Sequence, residues 1–255
     1  MAKSNNLPQC WQDFEDIIKS GTDRVILFGP PGTGKSYGGL TIGVTDNNAY
    51  RLVCTEEMTT ATVEGMFLPS ADGGYQWKDG QATKAWRSGG RLVIDEIDKA
   101  SSDVFAMLLA FTDSVGSAIH DLPNDERIAP AEGFSVVMTT NLENPDDLPQ
   151  ALRDRFPVAL EIAEAHPEAL LPLPEELREI ARASVSAEPE RRSSLRAFYE
   201  FARLRETLGD ERAARLVFQH KAEVILDSLK VASLGAVKVK PALDPDSIGR
   251  TARRF

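Results

Sequence analysis

Gly29-Pro30-Pro31-Gly32-Thr33-Gly34-Lys35-Ser36 decides the fold of this 255-residue chain. The octapeptide fits G-x-x-x-x-G-K-[ST] in full. Each residue type has a chemical reason to stand where it does. Glycines let backbone N–H groups turn toward one point and approach phosphate oxygens closely. A helix starting at the loop adds its unpaired N–H groups and its dipole to the same positive potential. Lys35 supplies a mobile ammonium for β- and γ-phosphates, and Ser36 a hydroxyl for Mg²⁺. The neighbours also fit. Arg24-Val25-Ile26-Leu27-Phe28 is a short apolar run that reads as a buried strand, and residues 35–44 read as a helix. Tyr37 sits in the first turn of that helix. With Gly29, Pro30, Pro31, Gly32, Thr33, Gly34, Lys35, Ser36 and Asp95, it completes the set expected to hold a nucleotide.

Downstream, Arg91-Leu92-Val93-Ile94-Asp95-Glu96 is an apolar strand ending in two adjacent carboxylates. In a parallel sheet, ligands gather at the carboxyl ends of strands. Asp95 is expected to join Ser36 in the magnesium shell, and Glu96 to polarise an attacking water as general base. The bland alternative is a helix N-terminus, where acids are favoured by the dipole. A further strand, Ser135-Val136-Val137-Met138-Thr139-Thr140-Asn141, also ends in polar residues, and the Asn141 amide is expected to hold the water or sense the γ-phosphate. The competing reading is an asparagine-initiated turn before Pro145.

Two arginines, Arg153 and Arg155, stand beside the last apolar run. They are candidates for an arginine supplied to a neighbouring subunit's γ-phosphate, against a plain surface pair bonded to Asp154. Ser193-Ser194-Leu195-Arg196 opens a helix with a serine cap. A cation is disfavoured in that first turn, which suggests that Arg196 reaches back to the nucleotide.

Apolar runs at 24–28, 50–54, 91–94, 134–138 and 158–162 alternate with helical patterns such as 102–113, which predicts a parallel α/β sheet. Trp11, Phe14, Ile17 and Ile18 recur at helical spacing ahead of the first strand. Prolines at 167, 172 and 174 mark a boundary, after which 175–185, 194–208 and 210–229 read as three helices. The expected division is a lead-in helix at 1–23, an α/β nucleotide-binding domain at 24–165, a helical lid at 166–229 and a flexible basic tail at 230–255.

Composition narrows the classes. Hydrophobic residues make up 42% and charged residues 27%, ordinary for a globular protein. No apolar stretch is long enough to span a membrane, and the N-terminus leads into no apolar signal core, so a cytoplasmic location is expected. Two cysteines, Cys10 and Cys54, make no disulfide framework, and the three histidines show no metal-ligand spacing. A net charge of −10 repels phosphate backbones, so nucleic acid is not an expected partner.

Taken together, these motifs resemble the AAA+ superfamily, and within it the MoxR-like, dynein-related branch, over residues 20–225. The phosphate loop and acidic strand end are similar to its Walker A and Walker B motifs. Asn141 resembles sensor 1, Arg155 the arginine finger with Arg153 as a second candidate, and Arg196 sensor 2. Residues 64–90 resemble the insert this branch carries in helix 2, although Gly65-Met66-Phe67 departs from the usual Leu-Gly pattern. Residues 118–134 resemble its hairpin before sensor 1. The resemblance implies a P-loop core with a five-stranded parallel sheet in the order 5-1-4-3-2 and a small all-α lid. It also implies a hexameric homo-oligomer that hydrolyses Mg-ATP, preferred over GTP on family grounds. A protein client to be remodelled follows, in some members through a von Willebrand A domain partner. Two alternatives stand beside it. One is a nucleic-acid-associated motor of the same branch, disfavoured because residues 117–133 carry only Arg127 against Asp121, Asp125, Glu126 and Glu132. The other is a slow nucleotide-dependent switch, which Glu96, Asn141 and Arg155 speak against.

Overall fold

The computed structural model describes residues 7–114, 116–188 and 190–237. In chain order the elements are α1 (Gln9–Lys19), β1 (Arg24–Phe28), α2 (Lys35–Thr41), β2 (Ala49–Val53), α3 (Thr60–Val63), β3 (Gly65–Pro69), β4 (Tyr75–Asp79), α4 (Gln81–Ser88), β5 (Arg91–Asp95) and α5 (Ser102–Phe111). They continue with β6 (His120–Asp121), β7 (Arg127–Ile128), β8 (Ser135–Thr139), α6 (Gln150–Arg153), β9 (Val158–Glu161), α7 (Pro167–Leu170), α8 (Glu175–Val185), α9 (Leu195–Leu208), α10 (Asp210–Phe218) and α11 (Ala222–Val237).

Five strands form one parallel sheet in the order β2-β5-β8-β1-β9. Counted among themselves, these are strands 2-3-4-1-5, the expected order read from the other edge. The central strands are apolar at consecutive positions because helices cover both sheet faces. Alternation assigns the side chains. Ile26, Leu92, Ile94, Val136 and Met138 pack with Trp86, Leu108 and Phe111 on one face. Val25, Leu27 and Val137 meet Trp11 and Phe14 of α1 on the other. With period-two side chains, a one-residue slip of any strand would exchange the two sets, so the register is strongly fixed.

Two antiparallel hairpins stand apart from this sheet, β3–β4 and β6–β7. They occupy the stretches likened to the helix-2 insert and to the hairpin before sensor 1. Arg87 of α4 fastens them together, donating to Asp79 at 2.8 Å and to Glu126 at 2.6 Å. His120 adds a 3.0 Å contact to Glu64.

The helices after residue 165 enclose their own apolar core, centred on Leu177, Phe198, Phe201, Phe218 and Ile225. Residues 210–229, read from the sequence as one helix, are two. The chain turns at Gln219, whose φ is 52°. Phe218 stacks on Phe198 and Phe201 at 5.0 and 5.3 Å between ring centres, while Ala222, Ile225 and Leu229 face the same core. The break lets both segments bury their apolar faces. Helix α11 then runs past Leu229 to Val237, so the first residues of the expected flexible tail are helical. Residues 1–6 of the lead-in and 238–255 of the basic tail lie outside the described residues. Among the described residues, no helix is long and apolar enough to cross a membrane.

Candidate functional site

The phosphate loop leaves β1 at Gly29 and enters α2 at Lys35, with Gly29, Gly32 and Gly34 all at positive φ. Gly32 shows why the residue type matters. Its φ is +82°, and a Cβ there would lie 2.8 Å from the Ser194 Cβ at the cap of α9. The loop and the helical region therefore touch at the site. Thr33 braces the loop through Oγ1 donating to Pro30 O at 3.2 Å. Lys35 is buried, and its ammonium donates to Gly29 O at 2.8 Å, Pro30 O at 2.7 Å and Asn141 Oδ1 at 3.1 Å. Burial lowers its pKa to about 8, with Asp95 pulling the other way.

Strand β5 delivers Asp95 beside the loop. Its Oδ1 accepts a 2.6 Å hydrogen bond from Ser36 Oγ and another from Thr139 Oγ1, and its Oδ2 accepts from the Arg51 guanidinium. Burial opposes the Asp95 charge, but these hydrogen bonds together outweigh it and hold the carboxyl below its ordinary range. Glu96 follows in a left-handed conformation, φ 57° and ψ 48°, uncommon for a residue with a side chain. Its N–H donates to Thr139 Oγ1 at 3.3 Å, and its side chain is exposed toward the cavity. Thr140, next to Asn141, donates to Asp98 at 2.8 Å.

A cavity of about 580 Å³ opens over these groups, within the range of small-molecule sites. Pro31, Gly32, Gly34, Lys35, Ser36, Tyr37, Asp95, Glu96 and Asn141 line one side, and Arg196 of α9 lines the other. Sequence reasoning missed the far wall, where Glu168, Ala169, Pro172 and Tyr199 contribute. It also missed Arg51 and Thr139. No local motif marks an arginine inside a strand or a threonine two residues before Asn141; only the pairing of β2 and β8 with β5 shows them.

Arg153 and Arg155 are not among the residues lining this cavity. Arg153 donates to Leu148 O and pairs with Asp146 at 2.7 Å. Arg155 donates to Ala151 O at 2.8 Å and lies 4.0 Å from Asp113, and its buried Nε has no partner among the described residues. The acids they meet are thus Asp146 and Asp113 rather than Asp154.

The donor set suits a triphosphate with magnesium. Ser36 and Asp95 offer one hydroxyl and one carboxylate, hard oxygens of the kind Mg²⁺ takes together with phosphate oxygens. Among the described residues no cluster of three or more His, Cys, Asp or Glu could hold a metal alone. The two protein oxygens at this place would leave most of a magnesium shell to phosphate and water oxygens.

The profile of the AAA domain, dynein-related subfamily, matches residues 24–156. The denitrification regulatory protein NirQ of Pseudomonas aeruginosa is 32% identical over 115 residues, 45% of this chain and 39% of that protein. NirQ of Stutzerimonas stutzeri is 29% identical over 118 residues, 46% of this chain and 42% of its own. The aligned stretch thus spans less than half the length of these relatives. A crystal structure of a Cytophaga hutchinsonii protein covers 86% of this chain and 68% of its own at 15% identity, with a TM-score of 0.47.

Proposed function

This chain belongs to the AAA-domain family, dynein-related subfamily, and from that premise we propose that it binds Mg-ATP in the cavity over the phosphate loop and hydrolyses it to drive rearrangement of a protein client. The observation that carries the reading is the convergence of Lys35, Ser36, Asp95, Glu96, Asn141 and Arg196 on one cavity from four separate stretches of sequence. A structural glycine turn would have no need of a buried lysine, an acidic strand end and an arginine from a different helical layer at one place.

In this reading the loop amides and the Lys35 ammonium hold the β- and γ-phosphates. Magnesium, when bound, neutralises charge on the phosphoryl oxygens. Ser36 and Asp95 position that cation. Glu96 accepts a proton from water as the water oxygen bonds to the γ-phosphorus and the bond to the ADP oxygen breaks. Asn141, bonded to Lys35, orients the water or the γ-phosphate. Arg196, exposed and without an ion pair among the described residues, carries the state of the γ-phosphate to the helical region. The apolar wall at Ala169, Pro172 and Tyr199 suits the base. Arg155, and Arg153 as second candidate, would serve the site of an adjoining copy in a hexameric ring. Whether a client is recruited directly or through a von Willebrand A domain partner belongs to the same proposal.

Phosphate release by Glu96→Gln tests it. The variant is expected to bind nucleotide as the parent does while turnover falls at least about a hundredfold, the lower range for general-base loss. Turnover equal to the parent would remove Glu96 from the reaction.

A further inference from the structure

Arg51 lies on β2, the edge strand beside β5, two positions ahead of the register pair Val53–Asp95. From there its guanidinium reaches across to the Asp95 carboxylate. Nε donates to Oδ2 at 3.0 Å, and Nη2 donates to the same oxygen. Ser36 and Thr139 already occupy Oδ1. A carboxylate offers about four lone-pair directions, and these four donors use them. The two partners differ in freedom. The Asp95 side chain is 5% exposed, whereas that of Arg51 is 43% exposed. The acid is fixed, and the guanidinium has solvent to move into.

We propose that Arg51 competes with the divalent cation for the Asp95 carboxylate and so sets how much magnesium the site requires. The inference rests on the reading of Ser36 and Asp95 as the cation's protein ligands. Magnesium, or a water in its shell, needs a lone pair on this carboxylate, and Arg51 holds the oxygen turned away from Ser36. The guanidinium also places a permanent positive charge beside the cation. Both effects weaken cation binding. Neither is needed to orient Asp95, because Ser36 and Thr139 hold it from the other oxygen. Arg51 therefore acts on the cation through the Asp95 carboxylate and not by holding that side chain in place.

The test uses the full chain and a fluorescent ADP analogue, with magnesium titrated at fixed nucleotide. Arg51→Gln is expected to lower the half-saturating magnesium concentration about tenfold, the scale of one elementary charge acting on a dication across a few ångströms of water. Arg51→Lys keeps the charge, loses the fork and should fall between. Thermal melting checks that each variant folds, and if Arg51→Gln fails to fold, the lysine variant decides the matter. A half-saturation that is unchanged or higher in a folded variant overturns the competition. Wild-type protein that fails to bind the analogue in excess magnesium overturns the nucleotide-site reading, and this inference with it. Wild-type binding with no shift in the variants overturns this inference alone.

Discussion

The Lys35 ammonium donates a 3.1 Å hydrogen bond to the Asn141 side-chain carbonyl, joining the phosphate loop to the polar end of β8. Two residues far apart in sequence thereby share one charge. A γ-phosphate arriving between them would offer Lys35 an anionic acceptor in place of a neutral amide, and would free Asn141 to bond elsewhere. Under the proposed function, occupancy of the loop is expected to be felt through this pair by the end of β8, where Thr139 bonds Asp95 and the next residue, Thr140, bonds Asp98.

Lys35 gives the site a pH dependence. Burial lowers its pKa from 10.5 to about 8. Between those values the unfolded chain holds a proton that the folded chain has released, so this residue's contribution to stability improves as pH rises through that window. Nucleotide binding runs the other way, because phosphate needs the ammonium. ADP should therefore bind more weakly above about pH 8 and take up a proton there, since the anion raises the lysine pKa again. Calorimetry in two buffers of different ionisation enthalpy should find uptake at about pH 8.5 that is smaller at about pH 7.5 and absent in Lys35→Arg. Equal uptake in the arginine variant would place the proton elsewhere.

Gly32 tests the contact between loop and lid. A side chain at this position meets both a left-handed φ and the Ser194 Cβ at 2.8 Å. Gly32→Val should cost about 1–3 kcal/mol of stability from backbone strain and crowding. Because Ser194 caps α9, the helix carrying Arg196, the same change should lift Arg196 from the cavity and weaken binding of a non-hydrolysable ATP analogue at least about tenfold. Denaturant melts and a titration with that analogue measure the two effects. Unaltered affinity for the analogue would show that the loop does not need the lid in place.

The core of the site was legible because its chemistry leaves short-range marks. Gly29 to Ser36 is one continuous stretch, and Asp95-Glu96 ends an apolar run that can only be a buried strand. Strand order came with the resemblance rather than from periodicity, since the short apolar runs, such as 25–28 and 92–94, carry no alternation that tells one neighbour from another. Arg51 and Thr139 were not legible: they act on Asp95 only because β2 and β8 flank β5, a pairing no local pattern encodes. The break at Gln219 was hidden for a similar reason. Residues 210–229 keep a helical apolar spacing across it, and what bends the chain is the need of Phe218 to reach Phe198 and Phe201. The far wall at Glu168 and Tyr199 depends on how the helical region folds back, which composition does not report.

Trp11 links three parts of the molecule, which makes it a stability prediction. It is fully buried, its Nε1 donates to Glu164 O at 2.9 Å, and its ring lies 5.1 Å from that of His166. A Cβ on Gly38 of α2 would come within 2.5 Å of the indole, so the ring is seated directly on the helix behind the phosphate loop. Trp11→Ala should cost about 3–5 kcal/mol, the range for deleting a large buried aromatic. Trp11→Phe should cost less, about 1–3 kcal/mol, including the Glu164 carbonyl left without its donor. Urea unfolding monitored by circular dichroism ranks them. A phenylalanine variant as unstable as the alanine one would mean that the hydrogen bond, and not the packing, fixes α1.

Arg155 decides whether the site is shared. Its guanidinium is held by Ala151 O and faces Asp113, and it is not among the residues lining the cavity of its own chain. A role in hydrolysis therefore requires an adjoining copy to present its own arginine. Arg155→Ala and Lys35→Ala proteins should each be nearly inactive alone, the first for want of the arginine and the second for want of phosphate binding. Mixed, they complement. An Arg155→Ala subunit supplies an intact phosphate loop, and a Lys35→Ala neighbour supplies an intact arginine. With random placement in a closed ring of equal parts, about one seam in four has both, so recovery of up to about a quarter of parental turnover is expected. Phosphate release from the mixture measures it, with native mass spectrometry verifying that the two proteins assemble together. Mixed rings with no recovered turnover would take Arg155 out of the chemistry and leave it as a half-buried tether between α6 and the turn at Asp113, its Nε the one buried side-chain polar atom among the described residues without a hydrogen-bond partner.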